Sequence, residues 1–398
     1  MIHKMKGYKM NKQSLQIILL FLLYSLVYFC LSTVIYYISI LEGYKGLSLP
    51  FFGGADDGVF YYDQALNVLY NLPYILSSVH SLVLGYLLKF FQTESVFLLR
   101  MFNYLGSLLL MIISLFLLNK EMYQNKSFQT SAVILILVFC FYPSLLLINT
   151  LSIFRDIWIY FYFITCTYFF ANLFIFKSKW PFIINFCLLL SMMFLLGSYR
   201  KYALLSFMIA SFIFLVLSII DKKNIKFRKF ILFTLTSFTI FYLCLKSYKF
   251  PYINLSFQDV LAYRQSGLDI YSGGSQMWIS LDQPNIVLFY LNYFYSMASN
   301  FIGPFPWQIT GFTTLILMVT EGFLFLMISI FLFRRRKLFS EFDKYLLMQS
   351  LIWFMLISIS NDNFGTGSRL RIVGWLPLLI LFAKYYGEKL FQKKNMIS

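Results

Sequence analysis

Ten stretches of this chain are long enough and apolar enough to cross a bilayer, and they constrain the fold more than any motif does. They run over residues 14–40, 97–118, 131–149, 157–176, 181–198, 202–220, 230–247, 309–333, 345–360 and 371–386. Hydrocarbon offers no partner to a backbone N–H or C=O, so a segment of about twenty apolar residues crosses as a helix that bonds to itself. The rest of the composition agrees. The mean hydropathy is +0.73, and 48 Phe and 30 Tyr stand among 398 residues. A soluble core cannot absorb that much apolar surface. The expectation is an all-α polytopic membrane protein, with residues 1–398 forming one membrane domain. The first run follows MIHKMKGYKMNK. It is too long for a removable signal peptide and has no small-residue cleavage site, so it reads as a retained span.

Two further apolar runs, 74–92 and 284–303, are ambiguous, and charge decides how to read them. Lys and Arg concentrate in cytoplasmic loops. If neither run crosses, the cytoplasmic pieces are 1–13, 119–130, 177–180, 221–229, 334–344 and the tail after 386, with Lys384 at the edge. Those pieces hold 22 of the 33 basic residues and 5 of the 16 acids, a balance equal to the whole net charge of +17. If 74–92 crosses alone, DKKNIKFRK (221–229) and RRRK (334–337) move outside; if both runs cross, DKKNIKFRK is still outside. The reading is therefore about ten transmembrane helices with both termini cytoplasmic. Two outer regions follow, 41–96 and 248–308, each carrying a helix that lies along the membrane. In the second, Asp282 followed by Pro284 reads as a helix start. The positive charge is then an orientation signal, and no basic face interleaves with aromatics to suggest nucleic acid.

The stretch GGADDGVFYYDQA (53–65) places three carboxylates, Asp56, Asp57 and Asp63, just after the first span. Gly53 and Gly54 break the chain, and a helix can begin at Asp56 or Asp57, where a carboxylate complements the positive helix end. From Asp57, Tyr61 and Ala65 follow on one helical face. A capped helix in a solvated loop needs one such acid; a second adjacent carboxylate can serve as a general base on a hydroxyl.

The layout resembles the polytopic glycosyltransferases of the GT-C superfamily: a first span, then a loop opening on an acidic pair, an aromatic four residues on, and membrane-lying helices. The resemblance covers roughly residues 1–250. It implies an inverting transfer from a polyprenyl-phosphate or polyprenyl-diphosphate carrier, with the catalytic acid in the first outer loop, at Asp57 or Asp56. Many members carry Asp-Glu where this chain has Asp-Asp-Gly, which leaves open which Asp is the base. In size, span number and a late arginine-containing loop the chain is also similar to Wzy-type polymerases of capsule and O-antigen repeat units.

A phosphate leaving group calls for cations on the same side, and arginine suits it because its fork bonds oxygens bidentately. The candidates are Arg155 in LSIFRDIW, Arg200 and Lys201 in GSYRKYA, and Arg369 and Arg371 in NDNFGTGSRLRIVGW. Arg155 next to Asp156 also fits a local ion pair, and the others also fit interfacial anchors. Asp63, Tyr61, Arg264 and Trp307 are candidates for contact with the sugar; Trp307, in GPFPWQ, fits an aromatic-belt anchor equally. Glu321 lies in mid-span and demands an interior partner.

The five cysteines fall inside expected spans without metal spacing, and the two histidines are too few for a His-rich metal site. No metal or cofactor is expected, and no Gly-rich nucleotide loop is present. The expected partners are the lipid bilayer, a polyprenyl-linked glycan and other polysaccharide-assembly proteins. The expected location is a bacterial plasma membrane, with the acidic pair facing the exterior or periplasm. Three functions compete. A glycosyltransferase or repeat-unit polymerase uses the acids and the outer arginines. A lipid-oligosaccharide flippase or transporter uses Glu321 but predicts internal repeats that are not evident. A scaffold leaves both groups idle.

Overall fold

The computed structural model describes residues 12–49, 57–122, 125–176, 181–222, 239–240, 242, 244–249, 254, 256–270, 275–283 and 285–397. Among the described residues the regular structure is helical, and the sole β feature is an isolated bridge between Gln276 and Asn363. Among the described residues eight helices are long and apolar enough to cross a membrane: Leu15–Leu41, Val96–Glu121, Asp156–Phe174, Phe182–Tyr199, Lys201–Ile219, Phe312–Arg334, Glu341–Ser360 and Phe364–Met396. A ninth candidate is a bent pair, Phe128–Phe141 with Pro143–Leu151, whose axes differ by 51°. The bend has a sequence cause. Proline disfavours the α conformation in the residue before it, and Tyr142 sits extended at φ −87°, ψ 101°. Nine of the ten apolar runs thus fall on helices of this kind, and most of run 230–247 lies outside the described residues. The ambiguous runs became short helices, Val79–Phe91 and Ile286–Ile302. Their 13 and 17 residues reach about 20 and 26 Å at 1.5 Å per residue, short of a ~30 Å hydrocarbon core.

The spans carry their apolar side chains on the outside as well as within. Leu19, Leu22, Leu26, Phe194, Phe212, Phe312 and Phe323 are all exposed. A soluble protein does not present such a surface, whereas one embedded in lipid does.

The chain divides into two compact units, residues 1–161 with 379–398, and residues 162–378. In the first, α1 (Lys12–Leu41) precedes α2 (Asp57–Leu69), α3 (Val79–Phe91), α4 (Val96–Glu121), α5 (Phe128–Phe141) and α6 (Pro143–Leu151); α7 (Asp156–Phe174) begins there. The α2–α3 hairpin is tight because Gly85 has no side chain: a Cβ there would come within 2.5 Å of Val68 and 3.0 Å of the Ala65 carbonyl. Tyr61, Ala65, Leu84, Leu88, Val96, Leu99 and Ile153 form the core beneath it. At the other end of this unit, Lys384 pairs with Glu121 at 2.6 Å, both nearly buried.

The second unit continues through α8 (Phe182–Tyr199), α9 (Lys201–Lys222), α10 (Phe257–Ile270), α11 (Ile286–Ile302), α12 (Phe312–Leu317), α13 (Phe323–Arg334), α14 (Glu341–Ser360) and α15 (Phe364–Ile397), of which the last turns belong to the first unit. Its core is aromatic. Trp375 stacks between Phe301 and Phe325, at centroid distances of 4.9 and 3.8 Å, and donates Nε1–H to the Phe301 carbonyl at 2.8 Å. The start of α11 differs from the expectation built on Asp282. Asn285 is the N-cap, its Oδ1 accepting from the Val287 amide at 2.8 Å. Asparagine caps as well as aspartate and here stands next to the apolar run.

Candidate functional site

The acidic stretch yields a helix that starts, among the described residues, at Asp57; Asp56 lies outside them. Asp57 is exposed at the N-terminus of α2, where the helix dipole favours a negative group. One turn on, Tyr61 is buried against the core, and Ala65 follows on the same face. Asp63 is exposed.

Arg155 meets this face. Its guanidinium carbon lies 5.7 Å from the centre of the Tyr61 ring, and Tyr61 in turn meets the His80 ring edge-on at 5.3 Å. Arg155 is half-buried, and its Nε is a buried donor with no acceptor among the described residues. Residues four apart on a helix have Cβ atoms about 5–6 Å apart. Asp57 therefore stands one turn before the ring that Arg155 meets.

The loop that carries Arg155 is held by its own carbonyls. Tyr28 donates to the Asn149 carbonyl at 3.0 Å. Arg100 donates to Thr150 at 2.5 Å, to Leu151 at 2.9 Å and, through Nε, to Gly46 at 2.8 Å. His80 Nε2 bonds to the Ile153 carbonyl at 3.0 Å and Asn103 Nδ2 to Phe154 at 2.9 Å. Trp158 Nε1 in turn donates to Asn103 Oδ1 at 3.3 Å. The Arg155 carbonyl accepts from the amides of Trp158 and Ile159 and so opens α7. Side chains from α1, α3 and α4 thus fix a segment that would otherwise leave buried acceptors unpaired. Burial holds the pKa of His80 down to about 4; the Ile153 carbonyl pulls it the other way, and the nearby Arg155 adds to the depression. The ring is neutral at pH 7, and a neutral ring with Nε2–H is the form that donates to that carbonyl.

The remaining candidates belong to the second unit. Arg200 closes α8, is half-buried and lies 4.9 Å from the Tyr202 ring; Lys201 is exposed at the start of α9. Arg369 is half-buried near the start of α15. Arg371 is buried: Nη2 pairs with Glu321 Oε2 at 2.5 Å and Nη1 donates to the Gly303 carbonyl at 2.7 Å. Glu321 thereby has the interior partner its depth requires. It lies in a π turn, Met318–Gly322, and a Cβ on Gly322 would come within 2.7 Å of the Ile302 carbonyl. Arg264 is buried as well, bonded to Asp362 Oδ1 at 2.5 Å and to the carbonyls of Ile279, Ser358 and Asn361 at 2.8–2.9 Å. Its donors are committed to the protein. Trp307 is 71% exposed, stacked on Phe305 at 5.0 Å, with Nε1–H donated to the Tyr295 hydroxyl at 2.8 Å.

Of the residues singled out from the sequence, the structure brings Arg155 over Tyr61, one helical turn from Asp57, and pairs Arg371 with Glu321. Arg100, Asn103 and His80, which hold Arg155 in place, carried no signal in the sequence, because their partners are backbone carbonyls far along the chain. Among the described residues, no group of three or more His, Cys, Asp or Glu side chains is arranged to hold a metal ion. No known protein family, no curated protein and no solved structure matches this chain.

Proposed function

We infer that the protein is a membrane glycosyltransferase that takes a sugar or oligosaccharide from a polyprenyl-phosphate or polyprenyl-diphosphate carrier. Between single-sugar transfer and polymerisation of a surface-polysaccharide repeat unit, the polymerase is preferred, on the resemblance in size and late arginine loop. In this reading the chain crosses a bacterial plasma membrane about ten times, with both termini in the cytoplasm and Asp57 on the opposite side. The observation that supports it most is Arg155, on a loop fixed through its carbonyls, with a buried Nε–H that has no acceptor among the described residues, set over Tyr61 one helical turn from an exposed carboxylate.

The chemistry balances with these groups. The Asp57 carboxylate takes the proton of an acceptor hydroxyl. The hydroxyl oxygen attacks the anomeric carbon from the face opposite the phosphate. The bond from that carbon to the phosphate oxygen breaks, and the phosphate leaves with the electron pair as an anion. Arg155 stabilises that anion. Arg371 and Arg264 hold carboxylates of the protein and are assigned structural roles.

The test is transfer by the purified protein in membranes supplied with lipid-linked oligosaccharide. Asp57→Asn lowers turnover by about 10²–10⁴-fold, the usual worth of a general base. Arg155→Ala lowers it too, and Arg155→Lys restores part of the loss. Full activity in both Asp57→Asn and Asp56→Asn defeats the proposal. A transporter reading draws on one observation, the ionisable Glu321 in a π turn of a candidate span, a geometry common at functional sites. It predicts the reverse pattern: Glu321→Gln blocks movement of lipid-linked glycan across vesicles, and Asp57→Asn does not.

A further inference from the structure

A loop segment of the second unit alternates between buried and exposed residues. Met277, Ile279 and Leu281 are buried at 5%, 4% and 1% exposure, while Trp278 and Asp282 between them are exposed and Ser280 is half-buried. Trp278, Ser280 and Asp282 therefore form one outward row: an indole, a hydroxyl and a carboxylate.

The row begins with an unusual backbone. Trp278 has φ +58°, a left-handed conformation that a bulky residue adopts only at a cost. Its surroundings impose it. Asp362 Oδ2 accepts from the Trp278 amide and Oδ1 from the Ile279 amide, both at 3.1 Å, and the Asp362 carbonyl accepts from Met277 at 2.8 Å. Arg264 locks that carboxylate and donates to the Ile279 carbonyl at 2.9 Å. The Ser280 carbonyl accepts from Asn292 and Gln283. A buried ion pair thus holds a strained turn that presents a tryptophan with 62% of its surface exposed. Burial does not explain the side chain, and glycine would suit the backbone better.

We propose that Trp278, Ser280 and Asp282 form a binding strip for the glycan of the substrate, an inference that rests on the glycosyltransferase reading above. A sugar ring has an apolar C–H face that fits on an indole and a rim of hydroxyls that donate to a carboxylate and to Ser280 Oγ, whose own proton goes to Gln265 Oε1 at 3.1 Å. A membrane anchor needs the indole but not the rest, and a carboxylate in the same row is repelled by anionic lipid. From Trp278 to Asp282 the row reaches up to roughly 13 Å at ~3.3 Å per residue, which fits a short oligosaccharide rather than a single ring. Because the backbone is already fixed on six hydrogen bonds, little ordering accompanies binding.

The experiment uses the full-length protein in nanodiscs, applied to an array of bacterial capsular and lipopolysaccharide oligosaccharides. The wild type binds a subset of the array. Trp278→Gly melts at the same temperature or higher, since the strain is relieved, yet binds at least tenfold more weakly; Trp278→Phe recovers part of the loss, and Asp282→Asn weakens binding by a smaller factor. The strip is disproved if the wild type binds no glycan, if Trp278→Gly binds as the wild type does, or if brominated lipid quenches a fluorescence component present in the wild type and missing in Trp278→Gly. Asp57→Asn separates this inference from the one beneath it. Transfer lost with glycan binding intact supports both, whereas transfer retained in Asp57→Asn alongside weak binding by Trp278→Gly removes the catalytic reading and leaves the strip.

Discussion

Arg100 in the first unit and Arg264 in the second are equally buried, each about 2% exposed, and each holds a loop that displays a side chain. Their partners differ. The bonds that fix Arg100 run to the carbonyls of Gly46, Thr150 and Leu151, the last two at the C-terminus of α6, where the helix dipole is negative. Arg264 is fixed by a carboxylate, Asp362, together with carbonyls. Carbonyl dipoles left without a donor can turn toward water or relax; a buried carboxylate left without its cation cannot. The same residue type at the same depth should therefore tolerate replacement differently in the two units.

The largest effect is expected at the ion pair. Arg264→Met leaves Asp362 charged and buried, and the second unit loses about 3–5 kcal/mol in denaturant titration. Adding Asp362→Asn to Arg264→Met removes the stranded charge and keeps acceptors for the amides of Trp278 and Ile279, so the double variant recovers part of the loss. If the double variant is no more stable than Arg264→Met, the carboxylate was not the source of the penalty.

Arg100→Met should cost less, about 3 kcal/mol, since the bonds it gives up at Gly46, Thr150 and Leu151 run to neutral carbonyls. Its functional effect is expected to exceed its effect on stability. With the carbonyls of Thr150 and Leu151 released, Arg155 loses its register over Tyr61, and turnover falls while the melting transition stays cooperative. Arg100→Lys keeps a cation with fewer donors and should fall between. Equal losses in Arg100→Met and Arg264→Met would break the contrast between the two units.

The sequence made one half of these arrangements legible. Apolar runs marked nine helices or bent helix pairs because the bilayer leaves the backbone no alternative. Asp57 with Tyr61 and Ala65 marked one face of α2 because the helical repeat is local, and Glu321 in mid-span announced a partner, found at Arg371. The rest was hidden for a common reason. Arg100 and His80 bond to backbone carbonyls 50–54 and 73 positions away, and a carbonyl is the same whichever residue carries it. Arg264 read as a candidate sugar contact in a long outer loop, because Asp362 stands 98 positions on with no pattern to connect them. Asn285 displaced Asp282 as a cap at a distance of three residues, a margin that sequence signals do not resolve.

The smallest effect separates the units by pH. His80 is buried beside Arg155, Asp156 and Tyr61, and its pKa is held down from 6.5 to about 4. A histidine in the unfolded chain binds its proton near pH 6.5, so between pH 6.5 and 4 the unfolded state holds more protons than the folded one. Stability of the first unit is therefore complete above pH 6.5 and declines on acidification, by about 2 kcal/mol at pH 5, with no further loss from this group below about pH 4. The other histidine in the chain is His3, which is not in the second unit, so the loops on Asp362 lack this titration. Hydrogen exchange at pH 5 and pH 7, corrected for intrinsic rates, should show protection falling across residues 149–155 and holding across 275–283. His80→Gln keeps a donor for the Ile153 carbonyl but has no proton to gain, and it should flatten the pH dependence of the first loop. A slope that persists in His80→Gln would assign the acid sensitivity to carboxylates instead, and the distinction between a carbonyl-held and a carboxylate-held loop would no longer extend to pH.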